Sequence, residues 1–97
     1  MRIVYHPKIY SDLSAIMQYY EEVARAELAD QFYHEFILAV KEAAQRPESF
    51  RIRAHGLRRV NLSRFPFHFL FRIVDDSIRI LVARHHKRHP SLGIRRR

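Results

Sequence analysis

The chain has no cysteine, two glycines and four prolines in 97 residues, and its second half holds only two acidic side chains. Without cysteine there is no disulfide framework, zinc–thiolate site, iron–sulfur cluster or thiol nucleophile. With few helix and strand breakers and 47% apolar residues, the composition is that of a folded globule, not a disordered chain. No apolar run approaches the roughly 18 residues of a membrane span. The opening stretch from Met1 to Pro7 has one charge and a short apolar run broken by His6 and Pro7, unlike a signal peptide. A cytoplasmic location with no membrane partner is the expectation. P-loop, Gly-rich dinucleotide and Gly-x-Ser-x-Gly motifs are all missing, and no cofactor is expected. The length fits one domain spanning residues 1–97.

What is present is positive charge, unevenly placed. Residues 1–49 carry five basic and eight acidic side chains, a net of −3. Residues 50–97 carry thirteen basic and two acidic ones, a net of +11, with five of the seven histidines. Segregation on this scale points to a polyanionic partner: nucleic acid, a ribonucleoprotein surface or an acidic protein. The terminal Arg95, Arg96 and Arg97 read as a solvated basic end.

Hydrophobic period divides the chain at about the same place. Ile3, Val4 and Tyr5 favour a strand. Ile9, Leu13, Ile16, Met17, Tyr20, Val23 and Ala24 recur every three or four residues, the stripe of an amphipathic helix opened by Pro7. Leu28, Phe32, Phe36, Val40 and Ala43 form a second stripe, ended at Arg46-Pro47. The break between the helices is expected near residues 24–27. Beyond a polar link through Glu48, Arg53 and Gly56 the period becomes two. Val60 and Leu62 alternate with Arg59 and Asn61. Phe67, Phe69, Phe71 and Ile73 alternate with His68, Leu70, Arg72 and Val74. Ile78, Ile80 and Val82 alternate with Arg79, Leu81 and Ala83. Asp75-Asp76-Ser77 turns the last two runs into a hairpin. The expected fold is α+β, in the order β-α-α-β-β-β: a helical hairpin on one face of a mainly antiparallel four-stranded sheet. The row with His68 and Arg72 would then look outward beside Arg59 and Asn61.

Chemistry on such a chain rests on Arg, Lys, His and Tyr. Two carboxylates in a turn are too few for a two-metal nuclease. His85, His86 and His89 carry imidazoles that ligate zinc elsewhere, but Arg84, Lys87 and Arg88 crowd them with like charge, and no metal is expected. Two readings stay open. In one, His68, His85 and His86 move protons while Arg59, Arg84 and Arg88 hold phosphate, giving metal-free RNA cleavage by the ribose 2′-OH. In the other, these side chains grip a phosphate backbone or an acidic peptide and no bond is broken. The candidate contact residues for nucleic acid or a protein target are Arg58, Arg59, Arg72, Arg84, Lys87 and Arg88.

Tyr5-His6-Pro7, Tyr19-Tyr20-Glu21-Glu22, Phe32 and Phe36 succeed one another along the first half. Arg58-Arg59, Phe65-Pro66-Phe67, Ile80–Val82 and the run from His85 to Pro90 follow in the second. In this order and spacing the chain resembles, over nearly its whole length, the RelE/ParE superfamily of toxins from bacterial type II toxin–antitoxin modules. The resemblance implies the same element order, a cognate antitoxin that wraps the toxin, and operator DNA bound only through the antitoxin complex. RelE-type members cleave mRNA on the ribosome, and by position Arg59, Asn61, His68 and Arg88 would stand at their basic site. Asn61 there lacks the charge, His68 weakens it, and no tyrosine follows Arg88. The provisional catalytic set on that branch is Arg59, His68, His85 and Arg88. ParE-type members instead poison DNA gyrase, and the Tyr19–Glu22 and Arg64–Phe67 segments are closer to this branch. The implied role is a growth-inhibiting toxin of a plasmid-stabilisation-type module acting on gyrase. The alternatives are a ribosome-dependent mRNA endonuclease, or a non-toxic nucleic-acid-binding module or decayed toxin.

Overall fold

A computed structural model describes residues 1–97. The elements run β1 (Arg2–Tyr5), α1 (Ile9–Val23), α2 (Ala26–Gln45), β2 (Arg58–Asn61), β3 (Phe67–Val74) and β4 (Ser77–His85). The sheet order is β1-β4-β3-β2, with β1 parallel to β4 and the other pairs antiparallel. The expected order of elements and the helix break are both present. No helix is long and apolar enough to cross a membrane.

Each helix buries the stripe its spacing sets out. Ile9, Leu13 and Ile16 of α1 and Phe32, Phe36, Val40 and Ala43 of α2 meet Val60, Phe67, Phe69, Phe71, Ile78 and Ile80 of the sheet. Aromatic edges fill the gap: Phe32 meets Phe65 and Phe67, and Phe36 meets Phe69, at centroid separations of 5.5–5.6 Å. Such pairs add about 1 kcal/mol each beyond the area they bury. Val23 and Ala24, assigned to the first stripe, are exposed, because α1 ends at Val23 and the stripe runs off the sheet. Asp75 takes a positive φ of 55° in the two-residue turn that joins β3 to β4, as such turns require.

Two differences from the alternation pattern decide what the site looks like. First, β4 carries a bulge. Leu70 pairs with Val82 but Phe71 pairs with Ile80, so Leu81 is the extra residue. A bulge flips the face of everything after it. Val82 therefore leaves the helix side and packs with Leu81, Leu70 and Leu57 on the outer face, and Ala83 takes its place in the main core. Second, the outer face is not open. The segment after β4 folds back across it, bringing Ile94 against the second apolar cluster. Gly93 makes this approach possible, with φ of +82° and Val82 Cβ 2.5 Å from where a Cβ would stand.

Candidate functional site

The covering segment is fastened by a buried arginine. Arg84, on β4 opposite His68 of β3, is 8% exposed and donates from Nη1 to the carbonyls of Pro90 and Leu92, at 2.8 and 2.7 Å. Its Nε donates to His68 Nε2 at 2.9 Å. His68, expected on an exposed face, is thereby 2% exposed. The correction follows from the basic tail: its carbonyls satisfy a guanidinium that would otherwise need water.

From His68 the hydrogen bonds run outward. Its Nδ1 lies 2.9 Å from His86 Nδ1, and Arg59 Nη2 lies 3.2 Å from the same His86 atom. The two rings lie edge to edge and nearly coplanar, with centroids 5.2 Å apart and planes 12° apart, as an in-plane hydrogen bond requires. Arg59 Nε also donates to Asn61 Oδ1 at 2.8 Å. Arginine has donors only, and that fixes the protons. His68 must accept at Nε2, so it carries its proton on Nδ1 and gives it to His86. His86 accepts at Nδ1 from both neighbours, which leaves its own proton on Nε2. The chain from Arg59 to Arg84 is complete with both histidines neutral.

The electrostatics agree with that assignment. Burial, then Arg59, Arg84, His86 and Arg53, push the His68 pKa down to about 3. His86 is lowered by burial, then by Arg59 and His85. Burial, with Arg53, lowers Arg59, and burial, with Arg59, lowers Arg84. All these effects disfavour adding positive charge to a cluster that contains no carboxylate.

The provisional catalytic set does not assemble in one place. Arg59 and His68 belong to the network just described. His85 lies past the bulge on the other side of the sheet, its ring edge-on to Phe67 at 5.0 Å. With Arg88 it lines a separate groove beside Tyr19, Tyr20 and Pro66. The contact candidates are also dispersed. Arg58 points to the loop before β2 and donates to the Phe50 carbonyl at 2.6 Å, Arg84 is buried as the clamp, and Lys87 and Arg88 are exposed. Arg72 sits directly across from Arg79, and neither has a carboxylate partner or an acceptor for its buried Nε. His85, His86 and His89 turn Nδ1 respectively to the Lys87 N–H, to Arg59 and His68, and to Ser91, and no group of three potential ligands converges.

Sequence reasoning missed the ion pair of Asp12 with Arg96, 84 positions away. Arg96 Nη1 and Nη2 reach the two Asp12 oxygens at 2.6 and 3.1 Å. Asp12 also accepts the Ala83 N–H, and Arg96 donates to the Leu81 carbonyl. The pair thus satisfies the backbone of β4 where β1 has ended and the bulge has broken the ladder. Arg96 is not the solvated residue expected of a basic end. An apolar groove of about 580 Å³ lies beside β1, lined by Tyr5, Pro7, Tyr10, Leu13, Tyr33 and Ile37. Tyr10 there is 81% exposed.

No family model and no curated protein matches the chain. Ten chains of solved structures do. One belongs to a chromosomal ParDE toxin–antitoxin system from P. aeruginosa. It superposes with a TM-score of 0.80 at 27% identity, covering 88% of this chain and 95% of that one. The shared element order, extent and sequence identity make this chain similar to ParE-like toxins of the RelE/ParE superfamily.

Proposed function

We propose that the chain is the toxin of a type II toxin–antitoxin pair and that it inhibits growth by holding DNA gyrase rather than by cutting RNA. The observation carrying this reading is the closed hydrogen-bond chain from Arg59 through His86 and His68 to Arg84. Cleavage by a 2′-OH needs one group to take a proton and one to give it near neutral pH. His68, with a pKa of about 3, is not an acid there, and its only lone pair is held by Arg84. The accepting nitrogen of His86 already receives two donors. What remains is cationic and donor-rich, suited to an acidic protein surface. The ParDE neighbour supports the toxin role.

A cognate antitoxin would occupy the apolar groove beside β1. The four-residue β1 is an edge strand with one free side, so an extended segment can pair with it while apolar side chains fill the groove.

The test uses one preparation of purified toxin in two assays, gyrase supercoiling of relaxed plasmid and 3′-end mapping of mRNA on translating ribosomes. Loss of supercoiling with intact mRNA, unchanged in His68→Ala and His85→Ala, is expected. Ribosome-dependent cuts that vanish in His85→Ala would overturn the proposal in favour of an mRNA endonuclease. Absence of either effect, with harmless expression, would mark a decayed toxin.

A further inference from the structure

The C-terminal arginines are arranged in a way the target-binding face does not use. Arg96 turns inward as the anchor against Asp12, with side chains 15% and 13% exposed. Its neighbours Arg95 and Arg97 are exposed, held in place by that anchor and by the close approach at Gly93. Both line a groove of about 450 Å³ together with His6, Lys8 and Ser91, which has a single apolar residue, Leu92, in its wall. Arg79 reaches the Arg97 main-chain oxygen at 3.1 Å, placing a further cation at the rim, and Arg72 stands across the sheet from Arg79 without a counter-ion. The one acidic side chain acting on His6, Asp12, is already paired with Arg96.

Lys8 is also the N-cap of α1, and no side chain caps that end. A helix N-terminus carries partial positive charge and free N–H groups that favour an anion, and Asp12, the one acidic residue in the first turn, is already paired with Arg96. The ring of His6 registers the same field: burial, then Arg96, Lys8 and Arg79, lower its pKa, against the opposing effect of Asp12.

We infer that the groove formed by His6, Lys8, Arg95 and Arg97 around the Arg96–Asp12 anchor binds the phosphodiester backbone of a nucleic-acid duplex. Several cations lining one groove suit the row of phosphates along a nucleic-acid backbone. The groove holds no Phe, Tyr or Trp ring, and its single imidazole, His6, is too little to form the run of stacking platforms by which single strands are held. The groove takes none of its charged side chains from the Arg59–His68 network, so it stands whether or not gyrase is the target. It gives the toxin a contact of its own with nucleic acid, independent of the antitoxin.

Fluorescence anisotropy with the purified full chain tests this on a labelled 20-base-pair duplex DNA, a duplex RNA of the same sequence, each single strand, and polyglutamate. Each phosphate contact contributes about 0.9 to the slope of log affinity against log salt. The variant Lys8→Ala/Arg95→Ala/Arg97→Ala removes three exposed side chains, so the slope should fall by about 2.7. The control Arg25→Ala/Lys41→Ala/Arg51→Ala removes the same charge from exposed positions elsewhere. It should keep the wild-type slope, and the melting temperatures of both variants show whether each is folded. Duplex binding lost in the first variant and kept in the second supports the site, and the duplex bound more tightly identifies the source of the phosphates. Equal losses in both variants, tighter binding of single strands, or binding of polyglutamate alone would overturn it.

Discussion

At the residue scale, His68 is buried and hydrogen-bonded at both ring nitrogens, in a position where an exposed histidine was expected. Its identity and strand are plain in the alternation of residues 67–74; its burial is not, because that depends on carbonyls contributed by Pro90 and Leu92. The neutral state has a measurable consequence. An unfolded histidine titrates near 6.5, whereas the folded His68 does so at about 3. Between these values the unfolded chain binds a proton the folded one does not. The stability contribution is therefore present above pH 6.5 and is lost as pH falls toward 3, by about 1.4 kcal/mol per unit. His6 and His86, also lowered, act in the same direction. Urea unfolding at pH 7 and pH 5 should differ by about 2 kcal/mol more in the wild type than in His68→Gln, which keeps an acceptor for Arg84. Equal differences would mean that His68 is protonated in the fold. Asp12 makes a second case. Asp12→Ala leaves Arg96 half-buried without its partner and the Ala83 N–H without an acceptor. A loss of about 3 kcal/mol is expected by denaturant titration, together with proteolysis within residues 89–97.

At the element scale, the helices and the strand order follow from local pattern, and the bulge does not. Nothing in Ile80-Leu81-Val82-Ala83 marks an insertion: four small or branched apolar residues suit either face, and no glycine or proline interrupts them. The bulge is fixed by the tertiary structure, through Asp12 and Arg96 bonding to its exposed backbone. The extra residue puts His85 on the other side of the sheet from His68, so the set of Arg59, His68, His85 and Arg88 divides between two separate grooves. The covering segment offers a sharp comparison between the two glycines. Both have positive φ, but a Cβ at Gly56 would meet nothing within 4 Å, while one at Gly93 would strike Val82. Gly56→Ala should cost about 1 kcal/mol from backbone strain alone. Gly93→Ala should cost at least twice as much, because the segment must lift from Leu81 and Val82. Amide exchange across residues 89–97 should rise in the second variant only. Similar melting temperatures for the two would show that the contact carries little energy.

At the scale of the whole molecule, charge and apolar surface are separated. The net of +11 in the second half was legible from composition. That the apolar groove lies beside β1, remote in sequence from most of this charge, needed the fold: Tyr5, Tyr10 and Tyr33 come from three different elements. The two kinds of surface should govern different rates of antitoxin binding. Long-range attraction between a basic toxin and an acidic antitoxin speeds encounter and is screened within about 10 Å at 0.1 M salt. Contacts in the tyrosine-lined groove form only after docking, so they set how long the complex lasts. Stopped-flow measurements should therefore show the association rate falling at least about tenfold between 50 mM and 500 mM salt, with dissociation nearly constant. Tyr10→Ser, which removes an exposed ring from the groove, should leave association unchanged and speed dissociation about tenfold, matching the loss of one well-packed aromatic anchor. If instead Tyr10→Ser slowed association and left dissociation alone, the groove would act before docking, and the antitoxin would have to be placed on the basic face.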